Sequence, residues 1–173
     1  MDLKEKIRTI PNWPIEGVMF RDITTLLQDP EAFREACDRL YERYKNMEID
    51  KVVAVDARGF IFGAVLAYKL NVGFVPVRKA GKLPYKTIRE SYTLEYGESV
   101  VEMHEDAIKK GEKILVVDDL IATGGTIGAA TKLVENLGGE IVECVFLVEL
   151  PDLKGREKIK KYNIYTLTEF EGE

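Results

Sequence analysis

Groups able to do chemistry are most concentrated between Ile114 and Thr126. Asp118 and Asp119 stand side by side after four apolar residues, Ile114 to Val117, three of them β-branched. That run predicts a strand buried on both faces. Small and hydroxyl residues follow, Ala122, Thr123, Gly124, Gly125 and Thr126, and then Ile127, Ala130, Val134 and Leu137 recur at helical spacing. Glycines let a strand-to-helix turn bend until successive N–H groups converge. The first-turn N–H groups of a helix lack internal partners, and its dipole favours an anion there. Ala122 to Thr126 are therefore expected to hold a phosphate. Two carboxylates would repel that phosphate unless the same ligand offers something a carboxylate attracts, namely vicinal hydroxyls or Mg²⁺. The pattern points to a phosphorylated sugar with a free diol and a bound magnesium ion.

A second turn of the same kind ends the apolar run Lys51 to Asp56, where Asp56, Ala57, Arg58 and Gly59 precede another apolar helix. Arg58 offers bidentate contact to a phosphate, although a turn arginine can also sit in solvent. Two anion turns with a diol reader between them match a sugar carrying a 5′-phosphate and a 1-pyrophosphate. Downstream, Arg78, Lys79, Lys82, Lys86 and Arg89 place five cations within twelve residues of an acidic chain. Cations there would stabilise charge developing on a leaving polyanion. The long polar segment 80–104 that carries most of them would act as a lid, excluding water from an activated sugar. No two glycines are separated by a single residue, and no G-x-x-x-x-G-K-[ST] occurs, so dinucleotide, kinase and Walker-type phosphate loops are excluded.

These turns need a sheet to hold them. Strands are expected at 51–56, 73–77, 113–118, 141–148 and near 163–168, with a hairpin around Gly97-Glu98. Helices are expected at 2–8, from Asp29 to about Asn46, at 59–70, at 125–137 and near 154–161. The alternation predicts a parallel α/β sheet with ligands beyond its carboxyl edge. At 173 residues, with 46% hydrophobic and 32% charged residues, one domain over 1–173 is expected. The net charge of −5 argues against a nucleic-acid partner. No apolar run is long enough to span a membrane. Cys37 and Cys144 read as buried free thiols, and the charged N-terminus lacks a signal sequence; a cytoplasmic location is expected. The lone histidine, His104, reads as structural or solvent-facing.

The Asp118-to-Thr126 stretch resembles the binding motif for 5-phosphoribosyl 1-pyrophosphate (PRPP) in type I phosphoribosyltransferases. Gly17 to Thr24, Arg78 to Pro84, Ser91 to Gly97 and Val148 to Arg156 are similar to members of that family that use adenine. The resemblance implies the type I fold: a central parallel sheet flanked by helices, with a small N-terminal hood over about 1–28 and a flexible lid hairpin over about 80–104. It implies adenine and PRPP as substrates, AMP and pyrophosphate as products, and purine salvage as the role. Asp118 and Asp119 would hold the ribose. Ala122, Thr123, Gly124, Gly125 and Thr126 would hold the 5′-phosphate. Asp56, Ala57, Arg58, Arg78, Lys79 and Lys82 would hold the pyrophosphate, with a cis peptide at Asp56-Ala57. The backbone of Met19 and Arg21 would read the adenine edge while Phe20 stacks on the base. Glu95 would handle the adenine proton and Arg58 would assist catalysis. Mg²⁺ would be carried mainly by PRPP, near Asp118 and Asp119. A homodimer is implied, with Arg78 the candidate to reach the neighbour's site. A 6-oxopurine enzyme and a PRPP-sensing regulator without catalysis are the alternative readings.

Overall fold

The computed structural model describes residues 1–94 and 96–172. A 3-10 turn at Leu3–Lys6 leads into β1 (Arg8–Pro11), β2 (Met19–Asp22), α1 (Thr24–Gln28) and α2 (Pro30–Tyr44). The main run follows: β3 (Lys51–Val55), α3 (Arg58–Leu70), β4 (Gly73–Lys79), β5 (Thr87–Leu94), β6 (Gly97–His104), β7 (Lys113–Ile121), α4 (Gly125–Asn136), β8 (Glu140–Glu149) and β9 (Ile164–Glu169). Seven strands form one sheet in the order β5-β6-β4-β3-β7-β8-β9. The five from β4 to β9 are parallel, as expected. The hairpin extends the same sheet, because β6 pairs antiparallel with β4 through Arg78↔Glu102 and Lys79↔Val101. β4 runs two residues past its last partner in β3, Val55↔Val77, and that overhang offers free backbone groups to β6.

Period-two alternation in the strands builds a core on each face of the sheet. Val52 and Ala54 of β3 face Phe62 and Leu66 of α3, while Val53 and Val55 face Ile127 and Leu133 of α4. α2 begins where the sequence indicates: the Asp29 carboxylate accepts hydrogen bonds from the N–H groups of Glu31 at 3.0 Å and Ala32 at 3.3 Å, with Pro30 in the first turn. Both cysteines are buried and unpaired.

Two expected elements differ and one unexpected element appears. Residues 2–8 make a single 3-10 turn and then the strand β1, because only Leu3 and Ile7 find apolar cover while Thr9 and Ile10 pair with β2. The segment near 154–161 makes a 3-10 turn, Gly155–Ile159, since its charged residues offer no apolar stripe beyond Ile159. The five-residue helix α1 is too short to leave a periodic signal.

The topology creates the crevice. β3 leads through α3 to β4 on one side, whereas β7 leads through α4 to β8 on the other, and β3 and β7 are neighbours. Chains diverging from adjacent parallel strands leave an opening beyond their carboxyl ends. β1 and β2 form a separate two-stranded sheet, joined to the chain's end by Arg21, whose guanidinium donates to the Glu171 carbonyl at 3.2 Å and lies over the Phe170 ring. Among the described residues no helix is long and apolar enough to cross a membrane.

Candidate active site

A cavity of about 320 Å³ occupies that crevice. One wall is the Asp56-Ala57-Arg58 turn and the other is the Asp118-Asp119 pair followed by Ala122 to Thr126. Arg78 and Lys79 at the end of β4 close the side, with Tyr92 of β5 and Val101 of β6. Two turns more than sixty residues apart in sequence thus share one space. The Asp56-Ala57 peptide is cis, as the family resemblance implies.

Local packing explains why the turns have these residues. A Cβ on Gly59 would lie 2.9 Å from the Asp118 carboxylate and 3.1 Å from the Asp118 Cα, so α3 can start against β7 only with glycine there. Gly124 has φ +85°, the left-handed conformation that turns the chain into α4. A Cβ on Gly125 would meet the Tyr92 ring at 3.0 Å, which places that ring directly over the first turn of α4.

The charges are paired across the cavity. Arg58 Nε donates to Asp119 at 2.6 Å, and Arg78 Nε donates to Asp56 at 2.9 Å. Asp119 is buried, and the Asp118 carboxylate accepts its N–H at 2.8 Å. Burial pushes the Asp118 carboxyl well above the usual carboxylate range, the neighbouring Asp119 charge pushes it further, and Arg58 only partly offsets both. Burial alone would lower Arg58, but Asp119, then Asp118 and Asp22, hold it above its ordinary value. Asp22 ends β2, so the small sheet contributes to the field of the crevice. Among the described residues no three His, Cys, Asp or Glu side chains gather as a resident metal would need.

Several expected site residues lie elsewhere. Lys82 sits in the exposed turn after β4, its N–H on the Lys79 carbonyl at 3.3 Å, and does not line the cavity. Met19, Phe20 and Arg21 are on β2, outside the cavity wall. Phe20 meets the Trp13 ring edge-to-face, centroids 4.5 Å apart, and Arg21 donates to the Thr9 hydroxyl at 2.7 Å. Glu95 lies outside the described residues. Sequence reasoning missed Tyr92 and Val101, which reach the cavity from β5 and β6 through a hairpin register that no local pattern gives.

The phosphoribosyl transferase domain family matches residues 22–172. The chain belongs to the phosphoribosyltransferase family, on its adenine phosphoribosyltransferase branch. An adenine phosphoribosyltransferase of Desulfosudis oleivorans is 71% identical over 173 residues, covering 100% of both chains. The crystal structure of adenine phosphoribosyltransferase from Thermoanaerobacter pseudethanolicus superposes with a TM-score of 0.93 at 49% identity, over 97% of this chain and 98% of that one. The Saccharomyces cerevisiae adenine phosphoribosyltransferase, complexed with an imino-altritol bisphosphate and adenine, gives 0.90 at 42% identity, over 95% of this chain and 96% of that one. The crevice of this chain brings both strand-to-helix turns and the acid pair to one cavity.

Proposed function

We propose that this protein transfers the 5-phosphoribosyl group of PRPP to N9 of adenine, giving AMP and pyrophosphate in purine salvage. The observation that carries the reading is the convergence of both anion turns and the acid pair on one cavity. Adenine and a sugar bisphosphate analogue are the ligands named for the yeast relative.

Asp118 and Asp119 hold the ribose hydroxyls, and Ala122 to Thr126 hold the 5′-phosphate on N–H and hydroxyl donors. Arg58, Arg78, Lys79 and Lys82 take the pyrophosphate, beside Asp56 and Ala57. Binding makes Arg58 and Arg78 exchange a carboxylate partner for a phosphate one, which frees Asp119 and Asp56. The bond from C1 to the pyrophosphate oxygen breaks with its electron pair leaving on pyrophosphate, where these cations stabilise it. N9 of adenine bonds to C1 from the opposite face. The adenine proton passes to Glu95. Met19 and Arg21 read the base edge and Phe20 packs on the ring, once the hood at about 1–28 settles over the crevice. The lid at about 80–104 excludes water.

Two carboxylates, one of them paired with Arg58, suit a Mg²⁺ ion that brings its own phosphate and hydroxyl oxygens. That ion would neutralise pyrophosphate charge. The whole chain, 1–173, acts as one domain in the cytoplasm and pairs as a homodimer. In the single chain Arg78 engages its own Asp56, so any reach into a neighbour's site requires that pair to open.

The test is product formation from PRPP and Mg²⁺ with adenine, hypoxanthine, guanine and xanthine in competition. AMP as the sole nucleotide is expected; a 6-oxopurine nucleotide overturns the base assignment, and PRPP binding without product indicates a sensor. Glu95→Gln is expected to lower kcat by about a hundredfold, the range of general acid–base catalysis, with PRPP affinity kept. Equal turnover in variant and wild type removes Glu95 from the mechanism.

A further inference from the structure

The segment between β8 and β9 touches the back of the Ala122-to-Gly124 turn, and it does so backbone to backbone. A Cβ on Gly155 would lie 2.5 Å from the Ala122 carbonyl oxygen and 2.8 Å from Ile121 Cγ1. A Cβ on Gly124 would lie 2.5 Å from the Gly155 carbonyl oxygen. The two glycines therefore exclude side chains from each other's surface, and neither backbone can shift without moving the other.

Both ends of the segment are fixed. At its start the Leu150 N–H donates to the Ile121 carbonyl at 3.0 Å. At its end Arg156 clasps Glu149 with two hydrogen bonds, Nε to Oε2 at 2.6 Å and Nη2 to Oε1 at 2.8 Å. Glu149 is only 4% exposed and pairs in register with Ile121, the last residue of β7 before the turn. A bidentate arginine–carboxylate pair fixes orientation as well as distance. Neither Glu149 nor Arg156 lines the cavity, so the clasp acts on whatever the turn holds without touching it.

We infer that residues 149–156 form a strap that positions the Ala122-to-Thr126 turn, with the Glu149–Arg156 clasp and the Gly155 contact as its two working parts. The inference rests on the proposal that this turn holds the 5′-phosphate of the nucleotide. A phosphate held by converging N–H groups loses affinity steeply when those groups move apart, because each hydrogen bond needs its own distance and angle. On the pyrophosphate side of the crevice Arg58 and Arg78 pair with Asp119 and Asp56 rather than with the strap, and that side is expected to be indifferent to it.

That asymmetry is the test. Binding of AMP, and separately of inorganic pyrophosphate with Mg²⁺, is measured by calorimetry on the full chain and on R156A, R156K, E149Q and G155A, with Tm recorded for each. R156A is expected to lose about tenfold in AMP affinity, the scale of one charge-assisted contact, with pyrophosphate affinity within about twofold of wild type. R156K recovers only part of the loss, since an ammonium cannot make the two parallel bonds of a guanidinium. G155A is expected to lose more than R156A; should G155A fail to fold, R156A carries the test, its side chain being 50% exposed. Unchanged AMP affinity in R156A overturns the strap, and so does an equal loss of AMP and pyrophosphate, which marks a merely structural role. Wild-type protein that binds no AMP overturns the phosphate assignment of the turn itself, a result distinct from either.

Discussion

Asp118 in the crevice and Glu102 at the base of the β5–β6 hairpin are two enclosed carboxyl groups with opposite surroundings. Glu102, 3% exposed, accepts from the Gly81 N–H at 2.9 Å, the Thr87 hydroxyl at 3.1 Å and Arg89 Nη2 at 2.8 Å. The Gly81 hydrogen bond, with those from Thr87 and Arg89, outweighs burial and holds its carboxyl below the usual range. Asp118 accepts the N–H of Asp119 and faces that residue's charge, and burial and repulsion drive it upward with Arg58 offsetting them only in part. Glu102 is satisfied by the fold; Asp118 is left for a ligand to satisfy. Complete local pairing marks a group that organises structure, and incomplete pairing in a cavity marks one that binds.

The largest effect that tests this contrast is expected at Asp119, where ligand binding and the Arg58 pair meet. Asp119→Asn removes the charged acceptor proposed for the ribose and leaves Arg58 without its carboxylate partner. A drop of about a hundredfold in kcat/KM follows if ~3 kcal/mol of charged hydrogen bonding is lost. Steady-state kinetics with varied PRPP reads it, and wild-type kcat/KM in the variant would dissolve the distinction between the two carboxyl environments.

Asp118→Asn is expected to cost less activity, about tenfold for one charged hydrogen bond, and to gain stability. The sign follows from linkage. A carboxyl whose folded pKa is raised favours folding while it is protonated, and that advantage is lost as pH rises through the raised value. At neutral pH the unfolded carboxyl ionises freely while the fold resists the charge on Asp118, a cost to wild-type stability that the asparagine variant escapes. Scanning calorimetry should show Tm higher by about 2–4 °C at pH 7, as ~1 kcal/mol gives in a chain of this size, with the gap closing in acid. A lower Tm at pH 7 would show that Asp118 contributes to folding like Glu102.

How far the sequence reveals such differences depends on the range of the interactions. The anion turns are legible because strand, turn glycines and helix start lie within about a dozen residues, Ile114 to Ile127 and Lys51 to Phe60. The parallel sheet is legible for the same reason, through alternation of apolar strands and helices. Glu102 reads as one acid in an alternating stretch, because its partners Gly81, Thr87 and Arg89 come from the far side of a hairpin whose register only the fold supplies. Gly155 lies 31 residues from the Gly124 it touches, and no local pattern marks that contact. Lys82, one cation of the basic cluster, lies in the exposed turn after β4, outside the cavity wall, and its position follows from the long-range course of the lid segment, which no local pattern marks.

The smallest expected effect on activity belongs to Glu102, and it sharpens the contrast through pH. Glu102→Gln keeps the shape and one acceptor oxygen, but turns an N–H₂ group toward donors that include Arg89. Leaving a buried donor unmatched costs about 1–3 kcal/mol, a fall of roughly 5 °C in Tm, while kcat changes only about twofold because Glu102 does not line the cavity. A carboxyl with a depressed folded pKa contributes stability that is complete above the ordinary glutamate range and is lost as pH falls through the depressed value. The wild-type protein therefore loses this contribution in acid, and the variant, with nothing to titrate at that position, does not. The Tm gap between them should narrow toward low pH, the same direction in which the Asp118→Asn gap closes but with the opposite sign of ΔTm at pH 7. A gap that stayed constant with pH would mean that Gly81, Thr87 and Arg89 bind the side chain for its shape alone, and the pairing contrast between the two carboxyl groups would then lose its electrostatic basis.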